Sequence, residues 1–110
     1  MYDRQTIDAR VDFDFEEIEV DDYVTFIHGS TVNIKRVLVL ERGFFFLTNE
    51  KVITKNEQIK INNKSFLTIN GYNETVPDNC VLTGSHLKLD PWLRIVHKDN
   101  IKYLTKKTDL

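Results

Sequence analysis

The residues with catalytic or metal-binding potential are three histidines, one cysteine and a dense set of acids near the N-terminus. His28, His86 and His97 show no i,i+4 pairing and have no second cysteine or acidic ligand at a metal-site spacing. No neighbour in sequence would depress the pKa of Cys80, which we therefore expect to be a core or rim thiol. The acids of residues 12–22 lie in a predicted loop, without the burial that tunes a general acid. We expect no enzyme activity and no cofactor.

Charge is distributed unevenly along the chain. Residues 1–22 carry nine Asp or Glu against two Arg, a net charge of -7, whereas the remaining residues carry a net charge of +5. An acidic segment on a mildly basic body indicates a basic partner for the former or an anionic partner for the latter. Attraction between the two parts within the chain explains the same pattern.

The composition favours one small β domain in a reducing compartment. The chain has 110 residues, with ten each of Val, Ile and Thr against one Ala, and β-branched residues prefer strands. A single cysteine forms no internal disulfide, which favours an intracellular protein. The N-terminus does not resemble a secretory signal, and the longest apolar runs, residues 37–40 and 44–47, are far too short to span a bilayer. We expect a cytoplasmic protein.

Hydrophobic alternation and turn residues predict the elements. Val11, Phe13 and Phe15 alternate with Asp12 and Asp14 as in a half-buried strand, and an acidic loop follows over residues 16–22. Asn70 and Gly71 are typical of a type I′ hairpin turn. Further strands are predicted at residues 23–28, 32–40, 44–47, 52–54, 59–61, 65–69, 72–76, 80–83 and 86–89.

Two more expectations concern the core and the C-terminus. One core is predicted to contain six side chains, those of Val24, Phe26, Val32, Ile34, Val39 and Val81. From Asp99 onward the apolar residues Ile101 and Leu104 are three apart, and lysines recur every four residues, which predicts a short C-terminal helix. Short strands at regular spacing predict a small all-β barrel or sandwich.

Three stretches of the chain, in this order, resemble the Src homology 3 (SH3) domain. Residues 9–13, Ala-Arg-Val-Asp-Phe, are similar to that family's Ala-Leu-Tyr-Asp-Tyr opening. Residues 22–34 are similar to its acidic-x-Leu-Ser-Phe-x-x-Gly-Asp-x-Ile-x-Val stretch. Gly71 and Tyr72, followed by residues 76–81 (Val-Pro-Asp-Asn-Cys-Val), are similar to its Gly-Tyr/Leu and Phe-Pro-Ser-Asn-Tyr-Val ending.

The resemblance implies an SH3-like β-barrel over residues 9–90, preceded by an arm of residues 1–8 and followed by an extension of residues 91–110. The chain is about 20 residues longer than the family between residues 44 and 71, where the sequence predicts an inserted β-hairpin. An insertion of this size adds little loop-closure entropy and is compatible with the fold.

The resemblance also implies a ligand site. The family binds proline-rich peptides between aromatic ridges, and acids of the loop pair with a basic residue beside the proline motif. Matching positions in this chain comprise the groove residues Phe13, Phe44, Pro77 and Asn79 and the acids Glu16, Glu17 and Glu19. Two family aromatics are replaced by Val11 and Cys80, so affinity for proline-rich peptides is expected to be weak or absent.

We therefore expect a non-catalytic protein-interaction module that recognises an extended proline-bearing or basic peptide, or a protein surface. One alternative is a small SH3-like nucleic-acid-binding protein that uses the basic body and a lysine stripe formed by Lys98, Lys102, Lys106 and Lys107. Another is a structural or viral assembly protein in which the barrel is a scaffold.

Overall fold

The computed structural model describes residues 9–48, 52–54, 71–84 and 93–109. The described residues form eight strands and three short 3-10 turns, and most of them are in strands. The strands are β1 (Tyr23–His28), β2 (Thr31–Val39), β3 (Phe44–Thr48), β4 (Val52–Thr54), β5 (Gly71–Thr75), β6 (Cys80–Gly84), β7 (Arg94–His97) and β8 (Ile101–Thr105). The 3-10 turns are η1 (Phe15–Glu17), η2 (Lys98–Asn100) and η3 (Lys107–Asp109).

Two antiparallel sheets form the structure. The larger sheet has the order β7-β6-β2-β1-β8 and curls into a half-barrel, and the smaller has the order β4-β3-β5. The prediction of a small all-β fold is confirmed at this level. The predicted strands of residues 59–61, 65–69 and 86–89, and the Asn70 position of the predicted hairpin turn, lie outside the described residues.

Two clusters of buried side chains lie on opposite faces of the larger sheet at β6. The first core cluster fills the half-barrel and contains Ile18, Val24, Phe26, Val37, Val81, Val96, Ile101 and Leu104. The second core cluster contains Leu38, Val39, Phe45, Val76, Cys80 and Leu82, so it joins β6 to the smaller sheet. Successive residues of a strand point to opposite faces, and every residue of β6 is buried because both of its faces are covered.

The predicted single core is wrong for three of its six members. Val24, Phe26 and Val81 lie in the first core cluster, but Val39 lies in the second. Val32 and Ile34 are 63% and 62% exposed. The reason is the register of the β1–β2 hairpin, whose two-residue turn at Gly29 and Ser30 pairs Phe26 with Asn33 and Val24 with Lys35. Val32 and Ile34 pair instead with Ile27 and Thr25, whose side chains point away from the first core cluster. A shift of the strand pairing by one residue would move all of these side chains to the opposite face of the sheet.

The predicted C-terminal helix is also wrong, because residues 101–105 form β8 at one edge of the larger sheet. The partners along β1 change from Thr25↔Tyr103 to Phe26↔Ile101, which leaves Lys102 as an extra residue in β8. Such a bulge places two residues three apart on the same face, as in a helix. Ile101 and Leu104 therefore both reach the first core cluster from a strand.

The N-terminal stretch differs from its predicted strand as well. Arg10 forms an isolated antiparallel bridge with Leu104 of β8, with N···O distances of 2.8 and 2.9 Å in the two directions. The chain then bends, and Phe15 begins η1 instead of continuing a strand. β7, which no sequence pattern predicted, extends the larger sheet beyond β6.

Candidate functional site

A groove of about 350 Å³ lies where the N-terminal stretch meets η2. Its apolar lining comes from both sides of the junction, and three of its four charged side chains are acidic. We call it the acidic groove, and its residues are Val11, Phe13, Asp14, Phe15, Glu16, Lys98, Asp99 and Ile101. Polar groups supply most of its exposed lining, and the rings of Phe13 and Phe15 supply apolar surface beside them. A concave surface that combines both is a candidate ligand site.

The N-terminal wall of the acidic groove is held by local hydrogen bonds and by packing. Phe13 and Phe15 are half-buried against the first core cluster. Between them, the backbone N–H of Asp14 donates to Glu17 Oε2 at 3.0 Å, and the N–H of Glu17 donates to the Asp14 carbonyl at 2.9 Å. These bonds close η1 and leave Glu16 exposed at the groove. Glu17 also lies 3.6 Å from the Arg10 guanidinium.

The opposite wall is the turn between the two edge strands. His97 Nδ1 accepts a hydrogen bond from the Asp99 N–H at 3.1 Å, which caps η2. The Lys98 N–H donates to the Asn79 carbonyl at 2.7 Å. Because that carbonyl belongs to the loop before β6, three separate stretches of the chain meet at the groove.

The structure brings together only part of the predicted ligand site. Phe13 and Glu16 line the acidic groove, and Asn79 contacts it through the backbone of Lys98. Glu17 lies beside it as the hydrogen-bond partner of Asp14. Val11, the position of a family aromatic, also lines the groove and is 70% exposed.

Phe44 and Pro77 belong to a neighbouring corner of the molecule. Phe44 is 42% exposed and pairs with Thr75 of β5, and Pro77 is exposed two residues after the end of that strand. Neither residue lines the acidic groove. Cys80, at the second missing aromatic position, is buried in the second core cluster.

An ion-pair network holds that corner. The Arg42 guanidinium lies 3.1 Å from Asp78 Oδ1 and 3.3 Å from Glu41 Oε1, and both carboxylates raise the pKa of Arg42. Glu41 Oε1 also accepts the Asn79 N–H at 2.8 Å. Asn79 has a φ of +65°, a left-handed conformation that asparagine adopts more readily than most residues. The predicted binding residue Asn79 therefore acts here through its backbone.

Glu19 takes part in a different contact, in which Lys106 binds both Glu19 and Asp22. We call these three residues the C-terminal latch. Lys106 Nζ lies 2.7 Å from Asp22 Oδ2 and 3.2 Å from Glu19 Oε1. Asp22 is fully buried, and its two oxygens also accept the N–H groups of Glu19 at 2.8 Å and of Lys107 at 2.9 Å. The acidic segment and the basic body thus attract each other within the chain, one of the explanations of the charge pattern.

The electrostatics of the latch favour both charges. Burial alone would raise the pKa of Asp22, but hydrogen bonds from Lys106 and from the N–H groups of Lys107 and Glu19 outweigh it and lower that pKa. Burial likewise opposes the charge on Lys106, yet hydrogen bonds to Asp22 and Glu19 raise its pKa. Both groups are therefore ionised across the neutral range.

Two further observations concern the metal-ligating and nucleophilic side chains among the described residues. In the part of the chain that the structure describes, no group of three or more His, Cys, Asp or Glu residues could hold a metal ion. Burial, with the nearby carboxylates of Asp78 and Glu41, raises the pKa of the Cys80 thiol, which disfavours the nucleophilic thiolate. Within the same described residues, no helix is both long and apolar enough to cross a membrane.

Sequence reasoning missed half of the groove. The sequence pattern predicted a helix from Asp99 onward and placed Lys98 in a lysine stripe, and only the fold shows that these two residues form the second wall. Asp14 carried a usable signal, because an acid followed three residues later by Glu is typical of a turn capped at its N-terminus.

Comparisons with protein-family models, with curated proteins and with solved structures find no match to this chain.

Proposed function

We propose that this chain is a non-catalytic protein-interaction module, built on an SH3-like half-barrel, that binds an extended basic peptide in the acidic groove. The observation that supports this proposal is the position of three carboxylates, those of Asp14, Glu16 and Asp99, around the half-buried rings of Phe13 and Phe15. Aromatic faces take up the aliphatic stem of an arginine or lysine, while carboxylates pair with its charged end.

The basic character of the ligand has better support than its proline content. The SH3 family has further aromatic residues at the positions of Val11 and Cys80. Of these two residues, Val11 lines the groove, whereas Cys80 is buried in the second core cluster. Stacking surface for proline rings is correspondingly small. The groove contains three acidic residues, by contrast, and a single lysine, Lys98.

The nucleic-acid alternative receives less support from the geometry. Its four lysines do not form one helical face, since Lys102 lies in β8 and Lys106 is held by Asp22 in the C-terminal latch. Lys98 lines a groove whose other charges repel phosphate. A protein that binds nucleic acid needs several lysines free for phosphate contacts.

A titration of fluorescent peptides tests the proposed function. The probes are ten-residue Ser/Thr peptides that carry one Arg, the same peptides with Pro beside the Arg, and a 20-nucleotide single-stranded DNA. The variant Glu16→Gln/Asp99→Asn removes two carboxylates of the groove, and Asp12→Asn with Asp21→Asn removes two charges from exposed residues that do not line it. We expect the groove variant to raise the Kd of the Arg peptides about three- to tenfold, because each exposed pair contributes up to about 1 kcal/mol.

The matched variant should leave the Kd within about twofold after correction for net charge. Equal weakening by both variants would show a general charge effect and no groove. If no Arg peptide binds, or if the DNA alone binds, the proposed function is wrong. Val11→Tyr adds a ring at an exposed groove position, so a gain in affinity restricted to the Pro-containing probe would assign the groove to proline-bearing ligands.

A further inference from the structure

β7 lies at one edge of the larger sheet, and β6 does not use all of its backbone groups. Among the described residues its neighbour in the sheet is β6 alone. In an antiparallel pair of strands, hydrogen-bonded residue pairs alternate with pairs that are not hydrogen-bonded. The bond from the Lys98 N–H to the Asn79 carbonyl makes that pair a hydrogen-bonded one, so the pairs Val81↔Val96 and Thr83↔Arg94 are hydrogen-bonded as well. The Thr83 hydroxyl also donates to the Arg94 carbonyl at 3.1 Å. The N–H and C=O groups of Ile95 and His97 must therefore point to the open edge.

An apolar pocket opens beside the same strand. It has a volume of about 280 Å³ and lies between the two sheets. Five of its seven lining residues are apolar, and the exceptions are one acid and one base; the residues are Phe45, Leu47, Glu74, Leu82, Leu93, Arg94 and Ile95. We call it the β7 pocket. Ile95 is 44% exposed at its margin.

We propose that β7 accepts an extended segment of a partner protein as an additional strand, whose large apolar side chain enters the β7 pocket. Main-chain hydrogen bonds to Ile95 and His97 would supply affinity, and the pocket would supply specificity, as in other cases of strand addition. This inference rests on the proposed function, because the same segment continues past Lys98 into the acidic groove.

The geometry fixes the spacing of the two recognised side chains. The β7 pocket belongs to the face of the second core cluster, whereas the acidic groove borders the first core cluster through Phe13 and Ile101. Side chains of an added strand alternate between these faces, so the apolar and the basic residue must be an odd number of positions apart. Ile95 precedes Lys98 by three residues, a distance of about 10 Å along a strand. The ligand therefore carries its apolar and basic residues three positions apart.

Charge argues for a partner segment and against a second copy of β7. The strand and the residue after it carry Arg94, His97 and Lys98. In the antiparallel register that pairs Ile95 of one copy with His97 of the other, Arg94 would lie opposite Lys98, and like charges directly opposite destabilise a strand pair. A segment with neutral residues along β7 and one base at the groove avoids this repulsion.

Labelled peptides of the Arg series test the spacing. One Leu is placed two, three or four positions from the Arg, on either side, and the parent peptide has Ser throughout. We expect Leu at three positions, in one of the two orders, to lower the Kd about tenfold, equivalent to about 1.4 kcal/mol, and Leu at two or four to have little effect. N-methylation of the backbone at residues that face β7 should abolish the gain.

A substitution in the edge tests the same contact from the protein side. Ile95→Pro removes an N–H that the β6 ladder does not use, and proline is tolerated in edge strands at such positions. Ile95→Val, the control, keeps that N–H. We expect Ile95→Pro to lose the tenfold gain from Leu and Ile95→Val to keep it, with circular dichroism showing that both variants are folded.

The outcomes separate this inference from the proposed function. If the Arg peptides bind but no Leu position and no N-methyl group changes their Kd, the strand addition is wrong and the acidic groove stands. If no Arg peptide binds, both the strand addition and the proposed function are wrong. Sedimentation that shows a dimer lost in Ile95→Pro would mean that β7 pairs with a second copy, which would also overturn the proposal.

Discussion

Replacement of Asp22 by asparagine should release the C-terminal latch with little change in shape. The carboxylate accepts three hydrogen bonds, from Lys106 Nζ and from the N–H groups of Glu19 and Lys107. The amide retains one acceptor oxygen, which at the Oδ2 position keeps the bonds from Lys106 Nζ and the Glu19 N–H, while its NH₂ group faces the Lys107 N–H. One charge-assisted bond of about 1.5–3 kcal/mol is lost and the ammonium loses its buried counter-charge, which together bring the net cost to about 3 kcal/mol.

A loss of this size is a large part of the about 5–15 kcal/mol that stabilises an ordinary domain. Urea unfolding should show a midpoint lowered by about 1–3 M, and thermal unfolding a Tm lowered by about 12 °C. The control is Asp21→Asn, since Asp21 is 57% exposed and 3.9 Å from Arg36. Its φ of +78° suits asparagine, so we expect a change within about 0.5 kcal/mol.

The pH dependence provides a second readout. The pKa of Asp22 is lower in the folded chain than its ordinary value of 3.8, so its stabilisation is present above pH 3.8 and is lost as the pH falls below it. The pKa of Lys106 is raised above 10.5, so its stabilisation is complete below pH 10.5 and is lost at more alkaline pH. Equal urea midpoints for the Asp22 and Asp21 variants at pH 7 would refute the reasoning.

Three further substitutions or reactions probe the packing. Phe26→Ala should lower the free energy of unfolding by about 3–5 kcal/mol because Phe26 is buried, whereas Val32→Ala should lower it by less than about 0.5 kcal/mol because Val32 is exposed. Similar values for the two variants would contradict the hairpin register. Gly84→Ala should lower the Tm by several degrees, because φ is +144° and the new Cβ would lie 2.8 Å from Leu93 Cδ1; an unchanged Tm would show that this contact gives way. Cys80 should react with iodoacetamide at pH 8 far more slowly in buffer than in urea, and equal rates would show that the thiol is accessible.

Local patterns predicted six of the eight described strands and some of the site. Alternating side chains and a glycine turn identified β1 and β2, because both depend on residues close in sequence. Which face of β2 is buried depends on the pairing of Val32 with Ile27, and a change of one residue in the turn would reverse it. The bulge at Lys102 is a property of two strands far apart in the chain, so β8 resembled a helix when considered alone.

The site divides in the same way. Phe13 and Glu16 were recognised because their stretch resembles a family motif, and both line the acidic groove. Lys98 and Asp99 have no local signal of binding and reach the groove through the curl of the sheet. The pairing of Asp22 with Lys106 follows from an overall attraction of charges, but the overall charge does not say which acid is buried.

The position of β8 has a consequence for synthesis of the chain. β1 is a central strand only because β8 pairs with it, and the two strands lie about 80 residues apart in the chain. A ribosome that adds about 5–20 residues per second therefore leaves one edge of β1 unpaired for about 4 to 16 s. An open edge with Val24 and Phe26 beneath it is prone to pair with other chains. The acids that precede it are translated before β1, and like charges on neighbouring chains disfavour pairing at that edge. We therefore expect the segment that later binds Lys106 to limit such pairing until β8 is made.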